Sequence, residues 1–113
     1  MRKTFKGIDV SVWQGSINFD KVKLSGIDFV IIKAGGSDDG FYTDSCFEIN
    51  YNRAKKAGLK VGCYYIVGSN FDTIQKATKN AQHFAKIIKG KTFDYPVFLD
   101  LELTSPSQKY GAT

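Results

Sequence analysis

The order of apolar runs and helix signals in this 113-residue chain predicts an α/β domain built on one parallel sheet. Three observations carry the prediction. Four β-rich runs recur, "FKGIDVSV", "IDFVIIKAGG", "LKVGCYYIVG" and "YPVFLDLEL". The second and third are nearly continuous hydrophobics rather than alternations, which is how strands covered on both faces read. Helix signals fill every interval between them, giving β-α-β-α-β-α-β with right-handed crossovers. No Pro/Ser-rich linker or break in composition divides the chain, so residues 1–113 read as one domain with a frayed, breaker-rich tail at 104–113.

The first run carries Asp9 near its end. Asn18 then caps a short helix that Gly26 closes. The second run ends on Lys33 and passes into "GGSDDGFYTDS", a polar loop with Asp38, Asp39 and Asp44. That loop lacks the spacing and closing glutamate of an EF-hand. It also lacks the lysine of a P-loop and sets acids where phosphate must sit. Asp44 either caps the next helix or lines a groove. Ser45 and Glu48 form an S-x-x-E capping box for a helix reaching about Gly58. The third run ends on Tyr64 and Tyr65. A third helix extends from about Asp72 to Lys89, where Gly90 stops it. At about 100° per residue, Ile74, Ala77, Ala81, Phe84, Ala85 and Ile88 share one side, and His83 falls opposite Ile74, toward solvent.

Bulk properties exclude several classes. The net charge of +5 favours anionic partners such as nucleic acid, wall polymers or acidic lipid, but no arginine-rich run or RNP-like motif supports nucleic-acid binding. The N-terminal "MRKTFKGIDVSVW" is basic without an apolar segment, so no signal peptide is expected. No run approaches the roughly 20 apolar residues of a membrane span. The expectation is a chain made in the cytoplasm, with any export by another route. Cys46 and Cys63 form neither a disulfide framework nor a metal site, and read as small buried thiols.

The chemistry concentrates at one edge. Alternation puts Asp100 and Glu102 on one face of the last strand, their Cβ atoms about 6.5–7 Å apart, with Phe98 beside them and Val97, Leu99 and Leu101 opposite. In parallel sheets and barrels the C-terminal edge of the strands is where ligands bind. Asp9, Lys33, Tyr64 with Tyr65, and the Asp100–Glu102 pair all come at that edge. Close carboxylates push their pKa values apart, leaving one protonated and one charged. Glycoside hydrolysis needs that division, although the spacing alone leaves retention and inversion open. A lone D-x-E reads equally as a solvated strand end; Asp9 on the same rim argues for a site.

"KGIDVSVWQGSINFDKVKLSGIDFVIIKAGG", "DSCFEINYNRAKKAGLKVGCYYIV" and "YPVFLDLEL" together resemble the N-terminal half of glycoside hydrolase family 25, the Chalaropsis-type lysozymes. The likeness extends from about Lys6 to Leu103. It implies a TIM-like (β/α) barrel, of which this chain holds the first four βα units, and an N-acetylmuramidase cutting the β-1,4 bond between N-acetylmuramic acid and N-acetylglucosamine. Carried over, Glu102 is the general acid, Asp100 the partner carboxylate that steadies the 2-acetamido group, and Asp9 the N-terminal acid of the site. Trp13, Lys33, Tyr64 and Tyr65 are the candidate sugar contacts, with Trp13 equally readable as a loop anchor. No metal or cofactor is implied, and the partner is the peptidoglycan glycan strand at the bacterial cell wall. The resemblance also implies a second half of the rim, including a further acid, that these 113 residues do not hold. "CYYIVGS" departs from the usual ending of the third strand. A family 18 chitinase would need an acid where Phe98 stands. A sheet of four strands leaves two edges and one face open, so the expectation is either a homodimer that completes the barrel or a fragment of a longer protein. The alternative function is a wall-binding or structural half-domain without turnover.

Overall fold

The computed structural model describes residues 4–68 and 72–101. Five strands form one sheet: β1 (Gly7–Val10), β2 (Phe29–Gly36), β3 (Tyr42–Thr43), β4 (Lys60–Val67) and β5 (Phe98–Leu101). Three helices, α1 (Phe19–Leu24), α2 (Phe47–Lys56) and α3 (Ile74–Ile88), fill the intervals. The order across the sheet is β1-β2-β4-β5, every neighbour parallel, while β3 folds back antiparallel on the end of β2. The parallel α/β architecture matches the sequence reading. The two-residue β3 was not foreseen, lying inside the segment read as a plain loop.

Burial alternates along the strands, and it separates two faces. Val10, Val30, Ile32, Ala34, Val61, Cys63, Tyr65 and Val67 join Phe19, Phe47, Ala54 and Phe84 of the helices in a single core. Cys63 lies in that core, and burial pushes its thiol up to about 12, so it is an inert small hydrophobe. The other face carries Asp9, Ile31, Tyr64, Phe98 and Asp100, with no helix of the described residues over it. Its lower end is plugged by Phe29 and Tyr95, packed edge to face with centroids 5.3 Å apart. Two glycines make room for this pair. A Cβ on Gly7 would fall inside the Phe29 ring, and one on Gly62 would lie 2.7 Å from Ile31 Cδ1 and 3.5 Å from Tyr95.

The N-terminal strand ends are stitched together by polar groups. Asp28 accepts from the Lys6 and Lys60 amides through its side chain (3.0 Å) and carbonyl (3.2 Å) respectively, and the Asp94 carboxylate accepts from Val61 N at 2.7 Å. The amides of Lys6, Lys60 and Val61 are thereby paired where the strands begin.

Asn18 caps α1 as expected, accepting from Lys21 N at 3.1 Å, and Gly26 follows with φ 98°. The capping box at Ser45 does not form. β3 keeps the chain extended through Thr43, so α2 starts later, with Cys46 at its N-cap and no side-chain cap there. Asp44 supplies the acceptors instead, taking Cys46 N on Oδ1 (2.9 Å) and Phe47 N on its carbonyl (3.0 Å). Glu48 is left to pair with Lys91.

α3 occupies the expected span, capped by Thr73 and closed at Gly90 with φ 79°. Phe84 and Ile88 of the expected face do meet the core, but the helix is rotated so that Asn80 and His83 turn inward with them and the Ile74 side turns out. His83 does lie opposite Ile74, yet Ile74 is the exposed one, at 87%. His83 faces inward, its Nδ1 2.8 Å from the Tyr65 hydroxyl and its ring edge-on to Phe41 and Tyr65. The reason is polar: Tyr65 brings a hydroxyl into the core, and Asn80 (3.3 Å) and His83 are the partners that satisfy it. Burial, with the nearby Lys86 charge, holds His83 below the ordinary histidine value. Lys79 lines the same recess as His83 and Lys86. A depressed folded-state value means that the unfolded chain binds more protons, so stability is lost as pH falls below about 6.5. His83→Gln, which keeps an acceptor for Tyr65, is expected to flatten the fall in melting temperature between pH 7 and 5; an unchanged slope would remove His83 from the account.

Candidate active site

The C-terminal edge of the open face holds a hollow of about 490 Å³, lined by Asp9, Ile31, Tyr64, Phe98, Leu99 and Asp100. Asp9 comes from β1 and Asp100 from β5, the two edge strands of the sheet. Across the strands alone, three spacings in a flat sheet would set them about 14 Å apart. Tyr64, on β4, sits between them. Its phenol is pushed up to about 12, first by burial and then by the charges of Asp9, Asp44 and Asp100. One hydroxyl thus remains a proton donor among three carboxylates at any pH near neutral.

A second recess of about 390 Å³ adjoins across the Lys33–Tyr64 register pair. Trp13, Lys33, Asp38, Tyr42 and Asp44 are among its walls. Lys33 does not end its strand, because β2 continues to Gly36; it is 93% buried (7% exposed), with Nζ 4.9 Å from the centre of the Tyr42 ring. Such a cation over an aromatic face is held electrostatically while its donors stay available. Tyr42 donates to Asp38 Oδ1 at 2.6 Å, and burial with that acceptor keeps its hydroxyl protonated well into alkaline pH.

Trp13 rides on a short 3-10 turn, Val12–Gln14, and is 85% exposed. The turn is closed by a reciprocal box: Ser11 Oγ accepts from Trp13 N (3.2 Å) and Gln14 Oε1 from Ser11 N (2.6 Å). Asp44 ties it to the other side of the recess, since its Oδ2 accepts from Val12 N at 3.0 Å while Oδ1 holds Cys46 N. Both roles foreseen for Asp44 are therefore present. Its removal strands two amides at a site only 4% exposed. Asp44→Ala is expected to cost about 1–3 kcal/mol and to free the turn. Trp13 is the only tryptophan, so a fall in its fluorescence anisotropy reads the release directly. Unaltered anisotropy would mean that Asp44 does not hold the turn.

Tyr65 does not belong to the site. Adjacent residues of a strand face opposite ways, and with Tyr64 on the open face Tyr65 is fully buried against Phe84, its ring stacked at 5.0 Å. No sugar can reach it. Phe98 shares the face of Asp100, as expected. Glu102 and the tail 104–113 lie outside the described residues. Tyr42 was not singled out from the sequence, and only its place opposite Gly36 in β3 brings it over Lys33. Among the described residues no cluster of His, Cys, Asp and Glu is arranged to hold a metal, and no helix is long and apolar enough to cross a membrane.

The model of the glycosyl hydrolases family 25 matches residues 8–113. An autolytic lysozyme of Clostridium acetobutylicum is 40% identical over 99 residues, 88% of this chain and 28% of that protein. Lysozyme M1 of Streptomyces globisporus is 39% identical over 100 residues, 86% of this chain and 32% of the relative. The chain therefore spans about a third of the length of these curated relatives. Among solved structures, the CTP1L endolysin superposes with a TM-score of 0.74 at 32% identity, covering 86% of this chain and 34% of the endolysin. A bacterial lysozyme from Streptomyces coelicolor gives 0.64 at 32% identity, covering 93% of this chain and 47% of that one.

Proposed function

The chain belongs to glycosyl hydrolases family 25, and from that premise we propose that its rim is the site of a muramidase, cutting the β-1,4 bond between N-acetylmuramic acid and N-acetylglucosamine in bacterial peptidoglycan. The observation that carries this reading is the placing of Tyr64 under the charges of Asp9, Asp44 and Asp100, in a hollow that Asp9 and Asp100 both line. A solvated strand end would bring no acid from the far edge of the sheet.

The sheet is best read as half of a TIM-like barrel. Asp9 registers with Ile31 and Ile31 with Gly62, whereas Asp100 registers with Ile66, four residues further along β4. In a flat sheet that is an offset of about 13 Å along the strands. In an eight-stranded barrel of shear 8 the strands tilt, and level positions climb by about one residue per strand. Three steps then account for about three of the four residues, which explains how the two acids come to share one hollow.

In this reading Glu102 donates its proton to the glycosidic oxygen as the bond to C1 breaks. Asp100 holds the 2-acetamido group so that its carbonyl oxygen can meet the positive charge developing at C1. Tyr64 donates a hydrogen bond among the acids, and Asp9 adds negative charge on the opposite wall. Lys33 offers its donors to sugar oxygens, and the exposed Trp13 ring is a face for a pyranose to stack upon. The chemistry requires no cofactor, and its place is the bacterial cell wall.

One observation favours a second reading, a wall-binding half-domain without turnover. All four residues of β5 are exposed, so the wall carrying Asp100 is supported on one side only among the described residues. Incubation with purified peptidoglycan separates the two. Release of new reducing ends, with muropeptides of the mass that muramidase cleavage produces, supports the first. Sedimentation with the wall and no released ends overturns it in favour of the second.

A further inference from the structure

Resting on the half-barrel reading, we infer that a second copy of this chain covers the open face, β5 of each copy pairing in parallel with β1 of the other. β1 pairs only with β2, and β5 only with β4, among the described residues. The β5 edge is short and carries one charge, Asp100, but its four residues FLDL include no lysine or proline, and Leu99 and Leu101 are 61% and 56% exposed. An unpaired edge of this kind is a template for another strand.

The register identifies the strand that fits. Following the hydrogen-bonded pairs from Asp9 leads through Ile31 to Gly62. Extending the Tyr64–Phe98 pairing two residues back places Gly62 level with Pro96. A two-fold axis along the barrel must supply half of the total shear of about eight, a stagger of about four residues. Four residues on from Pro96 is Asp100, which then faces Asp9 of the second copy. Phe98–Leu101 thus lies opposite Gly7–Val10 of the second copy, one four-residue edge against another of equal length. The direction is parallel, inward-facing positions meet inward-facing positions, and eight strands close. A β5–β5 contact about a two-fold axis would be antiparallel and would leave both β1 edges bare. Each seam would set Asp100 beside Asp9 of the second copy, so that each hollow gains a carboxylate from its neighbour.

Light scattering on the 113-residue protein at tens of micromolar is expected to give twice 12.6 kDa. The seam is read by an Ile8→Cys/Leu99→Cys variant, whose paired positions are adjacent only if β5 meets β1 of the second copy. Oxidation should convert it to a covalent dimer, while either single cysteine variant stays at monomer mass under denaturing, non-reducing conditions. Leu101→Lys, at an exposed position, should return the protein to 12.6 kDa with its circular dichroism unchanged. A monomer that binds hydrophobic dye would overturn the inference and leave the face to a further segment of a longer chain. A dimer that does not cross-link, or an open-ended aggregate, would overturn it too. None of these measurements reads glycan cleavage, so their failure is separate from failure of the muramidase reading.

Discussion

Glu102→Gln is expected to lower glycan cleavage by about 10²–10⁴-fold, the usual contribution of a positioned general acid. Gln has the shape of Glu but no acidic proton, so the leaving oxygen departs as an unprotonated alkoxide. Wall binding and melting temperature should be unaltered, because the amide has nearly the same volume as the carboxyl it replaces. Asp100→Asn tests the other half of the chemistry. It removes the charge that the proposed mechanism sets against the acetamido group, and a loss of about 10²–10³-fold is expected, as for other preorganised electrostatic contacts. The readout is reducing-end release from purified peptidoglycan, with binding measured in parallel. If Glu102→Gln cleaves as well as the parent, any lysis belongs to a contaminant or another residue, and the assignment of the acid fails.

Phe47→Ala carries the largest expected cost in stability. Phe47 is fully buried at the start of α2, where the helix packs on β2 and β4. Truncation leaves a ring-sized void and should cost about 3–5 kcal/mol. Domains of this size have only about 5–15 kcal/mol in total, so the variant is expected to be largely unfolded near 37 °C or to melt far below its parent. Ile74→Ser is the control. Ile74 has the same apolar character in the sequence but is 87% exposed, and its replacement should stay within about 0.5 kcal/mol. Urea titration of both variants decides the matter. Equal losses would mean that α3 buries Ile74 and that its face has been assigned wrongly.

That contrast shows where sequence reading reaches its limit. β2 and β4 were legible because buried parallel strands are written as unbroken apolar runs, and α1 and α3 because Asn18, Gly26 and Gly90 have a local reason to stand where they do. The Ser45 box was a sound local signal that lost to a tertiary one: pairing of Tyr42 and Thr43 with β2 delays the helix. The α3 face was misjudged because hydrophobicity was taken to choose it, whereas a buried hydroxyl on Tyr65 recruits Asn80 and His83. Tyr64 and Tyr65 are neighbours in a strand, so one had to point away from the site, but which one depends on register, and register is not written in a single strand. The gathering of Asp9 and Asp100 about one hollow was legible from the shared edge of the sheet. The part of Asp44 in holding Trp13 was not, since nothing in the sequence joins residues 32 positions apart.

The order in which the strands pair also bears on how the molecule comes into being. Gly7 meets Phe29, Phe29 meets Lys60 and Tyr64 meets Phe98, so each parallel pairing spans 22, 31 or 34 residues and always joins a strand to the one preceding it in the winding. Among the described residues no strand inserts between two made earlier. A ribosome delivering this chain would complete each layer before the next emerges, and growth by another layer would disturb nothing already in place.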